Sequence, residues 1–225
     1  EQILLVPGAY SLLTSSPTAV QEQYYTSNPY GFLRVDPFPA YNNDMGTCLL
    51  SSNTGLMIDA FDYNEDMHYP LLVYLDGVAL ERTNFDSPTN DRENWHSAAQ
   101  SAGFGTPAFI NSQFVPEGKS SDQISIQPEI FSPDNDGFND IISIQYNFSQ
   151  PGNMITITIF NSAGQLIRRL VNNEYAGTTG SFNWNGIADN NTIAPVGIYV
   201  FFIQVFDLDG NVNHFKRVGV LAAKL

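Results

Sequence analysis

The chain has 225 residues and a formal net charge of −14, with 43% hydrophobic, 13% aromatic and only 14% charged residues. That apolar content excludes a disordered chain, and the length allows one large or two small domains, each with its own core. So acidic a surface repels phosphate backbones and excludes nucleic acid as a partner, since Arg168-Arg169 and Lys216-Arg217 are the only basic pairs.

The acidity is uneven. Up to Pro116 there are 13 acids against 3 bases, and beyond it 10 against 6. Asn, Ser, Thr and Gly stand where charge is scarce, a composition typical of extracellular β-proteins. Cys48 is the only cysteine, so no disulfide forms within these residues; in Gly46-Thr47-Cys48-Leu49-Leu50 it reads as a small buried hydrophobe. No apolar run is long enough for a helical membrane span, and no basic-then-apolar leader opens the chain. Glu1-Gln2-Ile3-Leu4-Leu5-Val6 starts in mid-strand, which predicts a fragment of a longer protein.

In chain order, residues 2–6 read as a strand and Pro7-Gly8 as a turn; residues 10–14 then resume extended structure. Ser16-Pro17 supplies an N-cap serine and a proline at the first helical position, which predicts a two-turn helix over residues 18–24. Leu49-Leu50, residues 55–62 and residues 78–82 are short strands separated by turn residues, the last following Asp76-Gly77. Strands this short and this spaced predict a sandwich or barrel. Asp76-Gly77-Val78-Ala79-Leu80-Glu81-Arg82, Asn94-Trp95-His96-Ser97-Ala98-Ala99, Gly105-Thr106-Pro107 and Asn111-Ser112 together resemble the closing half of a lamin-tail domain, an immunoglobulin-like β-sandwich often appended to secreted bacterial proteins. Pro7-Gly8-Ala9-Tyr10-Ser11-Leu12-Leu13 resembles that family's proline-glycine segment, while its opening strands with a Ser-Gly-Trp segment are missing. The resemblance implies a sandwich truncated at its start.

The first half offers no catalytic constellation. His68 and His96 belong to no His-Glu-x-x-His or Gly-x-Ser-x-Gly motif. The acid-rich residues 59–66 read as a solvated loop, Trp95 as a plug at the base of the sandwich, and Gly103-x-Gly105 lacks the strand-to-helix switch of a phosphate loop. Residues 114–123 have linker composition, giving a first domain at 1–113 and a second at 124–225.

The second domain carries the clearest alternation. Residues 124–130 and 141–148 read as strands around Phe131-Ser132-Pro133-Asp134-Asn135-Asp136-Gly137-Phe138-Asn139-Asp140. Ile155, Ile157 and Ile159 alternate with Thr156, Thr158 and Phe160. Asn161-Ser162-Ala163-Gly164 turns into residues 165–171, and Trp184 is a core tryptophan on a short strand. Residues 197–206 are apolar on both faces, as in a central strand, and Asp207-Leu208-Asp209-Gly210-Asn211 turns into residues 212–221. About seven antiparallel strands result, the count of an immunoglobulin-like sandwich. The predicted fold is all-β, two immunoglobulin-like β-sandwich domains in tandem.

Four ordered motifs, residues 131–140, 159–168, Trp184-Asn185-Gly186 and Pro195-Val196-Gly197-Ile198-Tyr199, resemble the FlgD-like, gliding-motility-associated C-terminal immunoglobulin-like domain of Bacteroidota cell-surface proteins. That resemblance implies a non-catalytic type IX secretion or sorting signal. It also implies export across the outer membrane to the cell surface or beyond, with outer-membrane translocon or shuttle components as partners. The alternative is a carbohydrate- or protein-binding module of a secreted hydrolase or adhesin, suggested by Tyr24, Tyr25, Tyr30 and Tyr41 in polar loops.

Asp134, Asp136 and Asp140 around Gly137 could offer hard oxygen ligands to calcium. Aligned on Gly137, an EF-hand register puts Ser132 first and Ser143 twelfth, so the bidentate Glu is missing and a complete EF-hand is excluded. A weaker calcium loop and an ion-free network of Asx-turns are the two readings left.

Overall fold

The computed structural model describes residues 6–115 and 123–223. The expected strand over residues 2–6 and most of the expected linker lie outside the described residues. The chain divides into two compact units, Glu1–Pro116 and Glu117–Leu225, and both are built from β-strands.

In the first unit the strands are β1 (Leu12–Thr14), β2 (Phe32–Arg34), β3 (Met45–Ser51), β4 (Met57–Asn64), β5 (Leu80–Arg82) and β6 (Trp95–Ser97). They form three two-stranded sheets: β1 with β2 in parallel, β3 with β4 and β5 with β6 antiparallel. Helix α1 (Pro17–Gln23) starts on its proline, whose missing N–H no helix start needs, and stops where Tyr24 turns extended. Ser16 makes no side-chain cap, so the proline is the start signal.

Two local readings change here. Of the two overlapping readings, a strand over residues 55–62 and a solvated loop over 59–66, the strand holds as far as Asn64, because Thr47 and Asn90 satisfy the Asp62 carboxylate and Thr89 satisfies that of Asp59. Cys48 is half-buried, in β3 opposite Phe61 on a sheet only two strands wide.

The second unit is a two-sheet sandwich of β7 (Gln123–Gln127), β8 (Ile130–Phe131), β9 (Ile142–Asn147), β10 (Asn153–Asn161), β11 (Leu166–Ala176), β12 (Thr179–Trp184), β13 (Gly197–Phe206) and β14 (Val212–Leu221). One sheet has the order β11-β10-β13-β14-β8 and the other β12-β9-β7. The period-2 pattern of β10 points Ile155, Ile157 and Ile159 inward, and β13 adds Tyr199, Phe201, Ile203 and Val205. Ile142, Ile144 and Tyr146 of β9 answer from the facing sheet. Each of these buried side chains contributes roughly 1.5–3 kcal/mol by leaving water.

Three expectations are refined. Residues 124–130 are not one strand: Pro128, with no N–H to continue a ladder, separates β7 from β8, and the chain crosses from the three-stranded to the five-stranded sheet there. The short β8 pairs with β14 in parallel, so the sandwich has eight strands and is not wholly antiparallel. The second face of β13, carrying Val200, Phe202 and Phe206, is only half-buried, because no further layer covers it among the described residues.

Candidate functional site

The four sequence motifs of the second unit meet at one end of the sandwich, around Trp184. Its ring is fully buried, 5.4 Å from Phe131 and edge-on to Tyr199 at 5.0 Å. Its indole N–H donates to the Ile187 carbonyl at 2.9 Å, and Arg168 donates to the same carbonyl at 2.8 Å. Tyr199 donates its hydroxyl back to Pro195. At Gly186, φ is +79°, and a Cβ there would stand 3.0 Å from both Pro133 and Leu221, so only glycine suits this turn under the Asp-rich loop. Residues separated along the chain thus become one structural knot, which is why they occur as a set.

The loop from Ser132 to Asp140 carries the chain from β8 in one sheet to β9 in the other. Asp134, Asp136 and Asp140 are brought together, each placing a carboxylate oxygen within 4.8 Å of the others. Asp140 accepts from the Asn135 N–H at 2.6 Å and the Gly137 N–H at 2.8 Å. Asp134 accepts from the Asp136 N–H at 3.2 Å, and Asp136 from the Phe138 N–H at 2.9 Å. Asn135, Gly137 and Asn139 sit at φ of +61°, +88° and +51°, conformations that Asn and Gly tolerate best. This is a complete chain of Asx-turns. The same carboxylates are the hard-oxygen donors a calcium ion would take, but the loop reaches its shape through its own amides.

In the first unit, His68 Nδ1 lies 2.9 Å from Ser97 Oγ, a pairing that sequence reading did not anticipate. It is no nucleophile and base: Ser97 is wholly buried and its oxygen also accepts the Tyr69 N–H. Burial holds the His68 and His96 imidazoles below the ordinary histidine range. Glu81, also unanticipated, is 3% exposed and accepts from Thr106 Oγ1, Ser112 Oγ and the Gln113 N–H at 2.6, 2.7 and 3.1 Å. Burial nonetheless pushes its carboxyl above the usual range, with those hydrogen bonds opposing the shift. A hollow of about 320 Å³ beside it is lined by Tyr10, Val20, Tyr24, Thr106 and Phe109.

The remaining candidates divide into packed and exposed side chains. Trp95 is half-buried, stacks on Phe61 at 3.6 Å and donates to the Thr89 carbonyl. Tyr24 donates to the Gly77 carbonyl at 2.8 Å and packs against Gly105. Tyr25 and Tyr30 are exposed, at 84% and 95%, and Tyr41 at 42%. Asp207 accepts from the Asn211 N–H and carboxamide, closing the β13–β14 hairpin.

Along one side of the sandwich runs a second feature. Arg217 of β14 donates from Nε to the Ile124 carbonyl of β7 at 2.7 Å and from Nη1 to the Lys216 carbonyl at 2.8 Å. It bridges the two sheets across an open groove of about 740 Å³.

Residues 125–220, somewhat less than half of the chain, match the family described as the CHU_C type IX secretion signal domain. A domain of that family is a sorting signal and not a catalytic one, and the chain that carries it is exported across the outer membrane to the cell surface or the extracellular space. No curated protein matches the chain. Among solved structures, the chain is similar to PorZ of Porphyromonas gingivalis, an essential surface component of its type IX secretion system, at 16% identity and a TM-score of 0.28, covering 44% of this chain and 11% of that one. It is similar to the dimeric latent PorU of the same organism at 12% identity and a TM-score of 0.37, covering 84% and 17%. The PmoD soluble domain of a Methylocystis species gives 12% identity and a TM-score of 0.32, covering 49% and 98%. The chain thus spans only a small part of PorZ and PorU. Among the described residues no helix is long and apolar enough to cross a membrane.

Proposed function

We propose that the second unit is a non-catalytic sorting signal, recognised as a folded β-sandwich by outer-membrane translocon or shuttle components of a type IX secretion system. The family match over residues 125–220 carries this reading. The convergence of all four motifs on Trp184 supports it, since a knot at one end of a rigid sandwich gives a receptor a fixed shape to read. The first unit is a lamin-tail-like spacer between that signal and other parts of the exported protein, a reading supported by its motif resemblance. Among the described residues, the burial of Ser97 and the holding of Glu81 by Thr106, Ser112 and Gln113 fit that reading.

Deleting residues 117–225 in the producing bacterium tests the proposal. The truncated protein is expected to accumulate in the periplasm, with surface and medium fractions emptied. Continued export at the unaltered level would refute it.

A further inference from the structure

The open side of the sandwich has an architecture that neither the family match nor the sorting reading explains. In the five-stranded sheet β8 is only two residues long and pairs with Val220 and Leu221 of β14. Among the described residues no strand pairs with the outer edge of β14 before that point. In the other sheet β7 is likewise an edge. Val220 and Ala222 donate their N–H groups outward to Glu129 and Phe131, so by alternation Val212, His214, Lys216 and Val218 also turn their backbone N–H and C=O groups outward. That is a ready template for one more strand, lying end to end with β8.

The lining says what strand it would be. Ile126, Ile130 and Val218 supply apolar contact, with Ile130 and Val218 half exposed at 47% and 54%, and Lys216 and Arg217 stand in the middle. These are two of only nine bases in a chain with 23 acids. An antiparallel copy of β14 would bring the same two cations toward each other, which works against pairing with a second molecule of this chain. An extended segment alternating acidic with β-branched residues would instead set its carboxylates on the outer face, beside Lys216, and its apolar groups on the inner face, over the Arg217 stem and Ile126. The Lys216 carbonyl, now taken by the Arg217 guanidinium, is where its backbone N–H would enter.

We propose that the outer edge of β14, from Val212 to Val218, is a strand-addition site for an extended acidic segment of a partner protein. Arg217 acts as the latch that covers the edge until the segment arrives. The inference stands on the edge geometry and does not depend on the export reading.

Amide hydrogen exchange and NMR titration of the whole chain with a synthetic decapeptide alternating Glu with Val and Thr test it. The Val212, His214, Lys216 and Val218 amides are expected to shift and to exchange more slowly as peptide is added. Affinity should fall with salt and weaken about tenfold or more in K216E/R217E, as expected when a close charge pair is reversed. Because Arg217 bridges the sheets, K216E alone, an exposed change, is measured beside it, and the amide spectrum of each variant reports whether the sandwich remains folded. The peptide with Lys in place of Glu should bind K216E/R217E better than the unaltered chain. Equal binding of both peptides, no protection at these amides, or protection appearing with dimerisation and without peptide would each overturn the proposal.

Discussion

The two units solve the problem of holding short strands together in opposite ways. The second traps a continuous apolar core between two sheets, from Ile124 and Ile126 through Trp184 to Leu221. In the first, the buried apolar side chains are Tyr69, Ala98, Ala99 and Ala108, beside buried Glu81, Thr83, Asn94, Ser97 and Gln113. Its β3–β4 hairpin meanwhile exposes Leu49, Leu50, Leu56, Met57 and Ile58. Hydrogen bonds to backbone therefore do in the first unit what apolar interdigitation does in the second. Asn94 shows it best: its side chain accepts from Thr83 and the Asn84 N–H and donates to the carbonyls of Asn84 and Pro88, pinning the segment between β5 and β6. A structure of that kind depends on single polar residues, whereas a sandwich core spreads its stability over many contacts.

The sharpest way to break the contrast is to remove the keystone of the sandwich. Trp184→Ala should cost the second unit about 3–5 kcal/mol, through lost burial and the cavity left among Phe131, Tyr199 and Phe201. Calorimetry should show its transition falling while that of the first unit stays in place. Asn94→Ala should do the converse at about 2–3 kcal/mol, because buried donors and acceptors lose their partners and almost no apolar contact changes.

Acidity separates the units further. The folded-state pKa of Glu81 is raised, so its contribution to stability is whole below the ordinary carboxylate range and is lost as pH rises through the raised value. His68 and His96 are lowered, so theirs is present above the ordinary imidazole range and lost as pH falls through the lowered values. Glu81→Gln keeps both histidines and removes only the first term. The melting temperature of the variant minus that of the unaltered protein should therefore climb as pH rises above the ordinary carboxylate range; a difference flat with pH would mean that burial does not perturb Glu81.

The smallest expected effect lies in the Asp-rich loop. Asp140→Asn turns one of two acceptors into a donor facing an N–H, at about 1 kcal/mol. With the Asx-turns already shaping the loop, calorimetric titration of the chain with calcium should give no heat, and calcium should leave melting unchanged. A rise of several degrees that Asp140→Asn abolishes would make the loop a cation site.

The sandwich was legible because its signals are local. Ile155, Ile157 and Ile159 announce a strand and its inward face, Asp207 to Asn211 announces a hairpin, and Ser16-Pro17 announces a helix within a residue or two. What escaped needs distant residues to meet. Nothing near Glu81 in sequence foretells that Thr106 and Ser112 will bury it, and nothing near Arg217 points to Ile124, 93 positions away. The missed break at Pro128 had a local signal, a proline inside a strand pattern, outweighed by the alternation around it. The acids of residues 59–64 pulled two ways, since their charge suggested a loop over part of the strand read at 55–62, and hydroxyls of Thr47 and Thr89 satisfy the carboxylates so that the strand holds.

Transplantation of the signal is the most direct test of the central claim. Residues 117–225 are fused behind a periplasmic fluorescent reporter in a bacterium with a working type IX system, and surface-exposed reporter is measured by protease accessibility beside the Trp184→Ala fusion. The folded sandwich should carry the reporter to the cell surface and the variant should leave it in the periplasm. A stably folded fusion that remains in the periplasm, or a Trp184→Ala fusion exported equally well, would contradict the account.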